Sequence, residues 1–350
     1  MAYGLEDRLV VGVASSALFD LAKSDAYFKK HGEAKYRVYQ DKRLDKTLQP
    51  GVAFPFIQRL LALNDLRPGD PLVEVIILSH NDPMTGLRVM RSVKAHGLAV
   101  SRAVFTQGQS PYAYIRAFRM SLFLSANRQD VDAAIALGLP AGHVLPSSAK
   151  YDPADASLRV AFDFDGVVAS DESEQIYKSA DGLEDYLEHE SSKRDVPLAP
   201  GLLKPLLEDL NRIQTIEDER RLQDRSYQPR LRVSLVTARN APAHERAVNS
   251  LRAWGVNVND AFFLGGIEKS TVLQVLRPHI FFDDQQGHLD TAAEHIAGVH
   301  IPYGVANEPR VRAGSAVDVG FPPGPKDKAE LTVVGAPEGV TDEPAKSEIA

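Results

Sequence analysis

Asp163, Phe164, Asp165 and Gly166 place two carboxylates one residue apart, directly after the apolar run Leu158 to Phe162. Thr237 closes the run Leu231 to Val236, Lys269 stands further on, and Asp283 and Asp284 follow His279 to Phe282. Such short apolar runs read as buried strands, and α/β proteins bind their ligands beyond the carboxyl ends of the strands. The order and spacing therefore predict that Asp163, Asp165, Thr237, Lys269, Asp283 and Asp284 gather at the carboxyl edge of one parallel sheet.

These residue types suit the transfer of a phosphoryl group. The negative oxygens of a phosphate monoester repel an anionic nucleophile, and a bound Mg2+ offsets that charge and fixes the phosphate beside the attacking group. Mg2+ takes oxygen ligands, usually one or two carboxylates with waters and the phosphate itself. Asp163, Asp284 and the Asp165 backbone carbonyl are the expected partial cage, with Asp283 beside them. Asp163 would attack phosphorus to give an aspartyl-phosphate. Asp165 would protonate the leaving oxygen and then activate water, which asks for a pKa raised by its acidic neighbour. Thr237 would hydrogen-bond a phosphate oxygen, and Lys269 would offset the charge that accumulates around it. An Asp-x-Asp-Gly by itself is common where acids cap turns; the ordered set behind four strand-like runs carries the reading.

The elements that position these residues come in two copies. At the one spacing that separates Ser79 from Thr237, and without a gap, Val75 to Ser79 falls on Val233 to Thr237, and Arg88, Ser92 and Ala95 on Arg246, Ser250 and Ala253. Ala103 to Phe105 then falls on Ala261 to Phe263, Leu122 to Ser125 on Ile280 to Asp283, and Gly97 and Gly108 on Gly255 and Gly266. Upstream the spacing shifts, with Val10 to Ser16 resembling Arg159 to Asp165. Alternating strand-like and helical stretches predict a doubly wound parallel sheet in each half. In the first copy Ala14 and Ser16 replace the paired aspartates, Pro111 replaces Lys269, and Ser125 and Ala126 replace Asp283 and Asp284; only a hydroxyl, Ser79, survives. Residues 1–150 are accordingly expected to be a non-catalytic α/β half that shapes the pocket or a subunit contact, so a homo-oligomer is one expectation. Residues 151–315 are expected to be the catalytic domain, with a small cap near 170–197. A helix from Leu198 to Ile213, apolar at Leu203, Leu206, Leu207, Leu210 and Ile213, should pack on the sheet. From about Gly320 to 350 the chain is proline-rich and lacks periodicity, as a mobile tail would be, with Leu331 to Val334 at most an edge strand.

The bulk numbers exclude several classes. The chain has 350 residues, 44% of them hydrophobic and 25% charged, which is ordinary for a globular protein of two domains. A net charge of −7 without a long basic stretch argues against a nucleic-acid surface. Zero cysteines exclude disulfides, zinc–thiolate sites and thiol catalysis. No signal-peptide pattern and no membrane-length apolar run occur, so a cytoplasmic location without membrane contact is expected. His279, His288 and His295 lack a metal-binding spacing, and the single tryptophan, Trp254, reads as packing at a helix end.

The ordered set Asp163-Phe-Asp-Gly166, Thr237, Lys269 and Asp283-Asp284 resembles the haloacid dehalogenase (HAD) superfamily. Within it, the chain resembles the cytosolic 5'-nucleotidase type I family through Ser79 to Arg88, Thr106 to Tyr112, Leu124 to Asn127 and Ser170 to Glu174. The likeness runs from about Val10 to about Gly304. It implies a HAD-like (Rossmannoid) catalytic domain and Mg2+-dependent hydrolysis of nucleoside 5'-monophosphates to nucleoside and phosphate. One departure stands out: the family often has Gly between the two aspartates and Ala after them, where this chain has Phe164 and Gly166, so Phe164 could reshape the pocket. Further candidates for substrate contact are Arg239 and Asn240, which follow Thr237, and Asn81, Asp82, Ser110 and Tyr112 near strand tips of the first half. The same core would serve a phosphatase for sugar phosphates, and a nucleotide-binding regulator without turnover is the reading from a different class.

Overall fold

The computed structural model describes residues 4–179 and 183–307. The expected tail, its Leu331 to Val334 strand and the last residues of the 151–315 segment lie outside the described residues. Ten strands carry the described fold: β1 (Leu9–Ala14), β2 (Val73–Ser79), β3 (Arg102–Phe105), β4 (Leu122–Ser125), β5 (Ala141–Val144), β6 (Leu158–Phe162), β7 (Leu231–Thr237), β8 (Asp260–Phe263), β9 (Ile280–Asp283) and β10 (Gly298–His300). They make one sheet in the order β3-β2-β1-β4-β5-β10-β9-β6-β7-β8.

The central strands are mostly apolar because both of their faces are covered, with Glu74, Arg159 and Arg232 each at the second position of its strand. Along β1 and β2, Val11, Val13, Val75 and Ile77 enter one apolar cluster while Val10, Ala14, Ile76 and Leu78 enter another on the opposite face. In the second half Val160, Phe162 and Leu235 join the first of these clusters, and Ala161, Val236 and Phe281 a third. One apolar cluster thus draws on both halves, and the described residues fall in one compact unit.

The repeat in the sequence is a repeat in space. Strands β1 to β5 pair in parallel with one another, and so do β6 to β10. Read inward from the outer edge, the orders β3-β2-β1-β4-β5 and β8-β7-β6-β9-β10 are the same. The halves meet where β5 and β10 pair antiparallel, with Val144 opposite Val299 and His143 opposite His300. That single antiparallel step reverses one half against the other, so their carboxyl edges lie at opposite ends of the strands.

The sheet-packing helix runs from Lys204 to Gln223, beginning later and ending later than its apolar pattern suggests. Pro205 sits in its first turn, where a missing N–H breaks no helical bond. Leu206, Leu207, Leu210 and Ile213 are buried as expected. Beyond Ile213 the helix is held by a buried carboxylate: Glu217 accepts the Arg230 and Leu231 backbone N–H groups at 2.8 and 2.9 Å and the Tyr227 hydroxyl at 2.6 Å. Glu217 thereby pins the start of β7, a tie that a hydrophobic pattern does not display.

Candidate active site

The site forms where β6 and β9 lie side by side. The Asp163 N–H donates to the Phe282 carbonyl at 2.8 Å, so the two strands deliver Asp163 and Asp283 to the same edge. After Asp163 the chain turns tightly through Phe164–Val168, and the Asp163 carboxylate accepts the Phe164 N–H at 2.7 Å. Lys269 opens the helix Lys269–Leu276, and its buried ammonium bridges Asp163 at 2.9 Å and Asp283 at 2.7 Å.

The three aspartates differ in what the protein gives them. Oxygens of Asp163, Asp283 and Asp284 lie within 4.8 Å of one another, the one such group that could hold a metal among the described residues. Asp283 is well served: besides Lys269 it accepts the Gln285 N–H at 2.8 Å and lies 3.2 Å from His288 Nδ1. Asp284 is 1% exposed, and neither of its carboxylate oxygens has a hydrogen-bond partner. A buried carboxylate without a donor is costly. Beside two further carboxylates it fits a hard divalent cation, with Asp283 acting mainly as the anchor of Lys269.

The charges follow that arrangement. Burial first, then the charges of Asp163 and Asp283, push the Asp284 carboxyl up to about 10. Burial also raises Asp163, to about 7, against the pull of Lys269. Burial works against ionised Asp283 too, yet Lys269 and His288 hold it below the usual carboxylate value. Without a cation, then, the folded site keeps protons that an unfolded chain releases near pH 4. The stability from these two groups is full below that pH and falls as the pH rises, through about 7 for Asp163 and toward about 10 for Asp284. A cation that replaces those protons stabilises the folded state by mass action. Mg2+ should accordingly raise the melting temperature, and raise it more at pH 8 than at pH 6; an equal rise at both, or none, would contradict this reading of the acidic cluster.

Gly166 is what lets the turn approach Asp284. Its φ is +72°, and a Cβ there would lie 2.6 Å from an Asp284 carboxylate oxygen. Gly166→Ala is expected to displace that carboxylate and weaken Mg2+ binding by about tenfold or more, in line with changes just outside a metal's ligands. A Mg2+ titration of the melting temperature checks it.

The remaining sequence candidates fall into two groups. Thr237 ends β7, buried, with its hydroxyl accepting the Arg239 N–H at 3.3 Å. Asp165 is held by Arg239, whose Nε and Nη2 both lie 2.7 Å from its carboxylate. Arg239 itself is 3% exposed, and its guanidinium also binds Glu190, Ser173 and the Ala243 carbonyl, which leaves no N–H for a substrate. Asn240 is half-buried, and its carbonyl accepts the His244 N–H. Phe164 is fully buried and stacks on Trp254 with ring centroids 6.1 Å apart, so its ring belongs to the core. The opposed carboxyl edges put Asn81, Asp82, Ser110 and Tyr112 at the end of the sheet away from Asp163 within the chain. There Asp82 caps the helix Pro83–Ala95, Ser110 binds Asp130, and Tyr112 packs on the cluster under β1.

Two helices, Glu172–Ser179 and Leu183–Ser192, occupy the expected cap segment. They bring in Glu190, which the sequence did not single out, and Ser173 and Glu172, which lie in the Ser170 to Glu174 stretch of the resemblance but had no role assigned. Glu190 is fully buried between Arg239 and Arg246, Ser173 donates to Glu190 at 2.9 Å, and Glu172 lies 3.1 Å from Arg246. The available signal was the cluster of acids in a segment flanked by basic residues, which also describes any solvated helix.

A family model described as 5'-nucleotidase matches residues 1–308. The chain belongs to this family. Cytosolic 5'-nucleotidase 1B from Homo sapiens is 34% identical over 296 residues, covering 82% of this chain and 47% of the human protein. The chain thus spans about half the length of that relative. Membership of the 5'-nucleotidase family fits the HAD-like sheet and the acidic edge that β6 and β9 build. No helix among the described residues is long and apolar enough to cross a membrane.

Proposed function

We propose that this member of the 5'-nucleotidase family is a phosphoric monoester hydrolase that cleaves nucleoside 5'-monophosphates with Mg2+. One observation carries the reading: Asp163, Lys269, Asp283 and Asp284 converge beside Asp165 at one sheet edge, with Asp284 buried and unpartnered. Mg2+ would be held by Asp163 and Asp284, together with the Asp165 carbonyl, and supplies charge neutralisation of the phosphate. Asp163, fixed by Lys269 and by the Phe164 N–H, attacks phosphorus and takes the phosphoryl group as an aspartyl-phosphate while the nucleoside leaves. Asp165 gives a proton to the departing 5' oxygen and later takes one from the water that attacks the aspartyl-phosphate. Lys269 offsets negative charge at the nucleophile, and the Thr237 hydroxyl, which accepts the Arg239 N–H, keeps its own proton to donate to a phosphate oxygen. The relative's name supports a nucleotide as substrate.

The test is phosphate release, with and without Mg2+, from AMP, IMP, UMP and their deoxy forms against sugar phosphates. Preference for nucleotides is the expected result. Release from sugar phosphates alone would keep the phosphoryl chemistry and discard the nucleotide, and no release from any of them would overturn the proposal.

A further inference from the structure

Arg239 is the most heavily engaged side chain of the site. A guanidinium has five N–H donors, and here all are taken: Nε and Nη2 by Asp165 at 2.7 Å each, Nη2 again by Ser173 at 2.5 Å, Nη1 by Glu190 at 2.5 Å and by the Ala243 carbonyl at 3.0 Å. Two of these partners, Ser173 and Glu190, come from the cap helices, so Arg239 joins the cap to Asp165.

The duplicated half acts as an internal control. Around the cap helices the two copies share a frame. Arg88 binds Gln40 at 3.0 Å and the Lys46 carbonyl at 2.9 Å, just as Arg246 binds Glu190 at 2.9 Å and the Val196 carbonyl at 3.0 Å. Ser92 accepts the Leu48 N–H at 3.0 Å and Ser250 the Leu198 N–H at 2.9 Å. That frame is present in the half without the aspartates, so it belongs to the fold. Three positions differ together: Ser16 stands for Asp165, Asn81 for Arg239 and Gln40 for Glu190. The half that lacks the proton-transfer carboxylate also lacks the guanidinium that grips it and the carboxylate that grips the guanidinium.

From this we infer that Arg239 is the positioning residue for Asp165 and that Glu190 fixes Arg239 in turn, so the cap sets the orientation of the proton-transfer carboxylate. The inference rests on the role given to Asp165 in the proposed function. Proton transfer needs the carboxylate within about 2.6–3.2 Å of the leaving oxygen, and a bidentate guanidinium restricts both rotatable bonds of an aspartate at once. A glutamine at 190 would still offer Arg246 an amide oxygen, as Gln40 does for Arg88, but would lose the carboxylate oxygen that Arg239 holds. The link from position 190 to Arg239 can therefore be cut separately from the frame.

Glu190→Gln makes that cut, because Gln40 already fills the equivalent place beside Arg88. Arg239→Lys is the second variant, since an ammonium cannot hold a carboxylate bidentately. With enzyme in excess over substrate, release of the leaving group reports only the first chemical step. A nucleoside needs a proton as it departs, whereas p-nitrophenolate leaves without one. Both variants should slow nucleoside release from AMP by about tenfold or more, part of the usual effect of a general acid. They should slow p-nitrophenol release from p-nitrophenyl phosphate by less than about threefold, and any loss of stability from the weakened buried pairs of Glu190→Gln would lower both rates alike rather than their ratio. Equal slowing on both substrates, or no slowing on either, overturns the positioning role. The wild-type rate on AMP reads the proposed function, while the ratio of the two losses reads Arg239, so the two ideas fail separately.

Discussion

Asp163→Asn is expected to abolish phosphate release from nucleoside 5'-monophosphates, by on the order of 10⁴-fold or more, while leaving the protein folded and no less stable than wild type. The carboxamide has the shape of the carboxylate but is not a nucleophile, so no phosphoryl acceptor remains. The stability half of the expectation follows from the surroundings. Asp163 is 4% exposed, and burial together with the neighbouring charge of Asp283 raises its pKa to about 7, against the pull of Lys269. An uncharged side chain removes that repulsion, still accepts the Phe164 N–H, and leaves Lys269 its 2.7 Å partner Asp283. Phosphate release and thermal melting, measured on the same preparation, check both halves. Turnover within tenfold of wild type would sink the assignment of Asp163 as nucleophile, and a collapse in melting temperature would show that its charge is structural.

Lys269→Met carries the second large effect. The ammonium is 2% exposed and is the cation shared by Asp163 and Asp283. Removing one member of a buried ion pair leaves an uncompensated charge and costs about 3–5 kcal/mol. His288 and the Gln285 N–H still serve Asp283, which places the expected loss toward the lower end. The loss should be larger at pH 8, where the carboxylates are ionised, than at pH 5, where Asp163 already carries a proton in the folded state. Adding Asp283→Asn to Lys269→Met should restore stability by at least about 1 kcal/mol, as coupled neighbours do, without restoring turnover, which falls about 10²–10³-fold when a charge-stabilising donor is lost. Urea unfolding of wild type, the two single substitutions and the double at both pH values reads this directly. Simple additivity of the two substitutions would deny that Lys269 and Asp283 act as a pair.

The strand-end site residues were legible because a parallel strand buried on both faces finishes on apolar residues, and the first polar residue after them marks the edge. Asp163 after Phe162, Thr237 after Val236 and Asp283 after Phe282 are all of this kind. The repeat was legible for a related reason, since a constant spacing preserves both runs and turn glycines: Gly97 and Gly255 share a φ of +68°. Strand direction between the halves was not legible. Each half reads as parallel by itself, and the reversal is decided by one short pairing, Val144 with Val299, between segments far apart in sequence. That pairing moved Asn81, Asp82, Ser110 and Tyr112 to the far edge. The cap network was hidden differently. Arg239, Glu190 and Ser173 meet across long stretches of chain, and the cap helices are short and polar, so their buried members carry no periodic signature. Phe164 misled for a third reason: an aromatic between two site aspartates suggests a pocket wall, but the turn at Gly166 sends the backbone past Asp284 while the ring joins Trp254.

The central claim is that phosphate passes through Asp163, and trapping it there is the most direct test. Enzyme mixed with Mg2+ and a nucleoside 5'-monophosphate carrying radiolabelled phosphorus, then quenched in acid within the first turnovers, should yield labelled protein. The label should be released by hydroxylamine, as an acyl phosphate is, should map to the peptide containing Asp163, and should be absent from Asp163→Asn. Steady turnover with no labelled protein at any quench time, or a label that maps to another residue, would contradict the account.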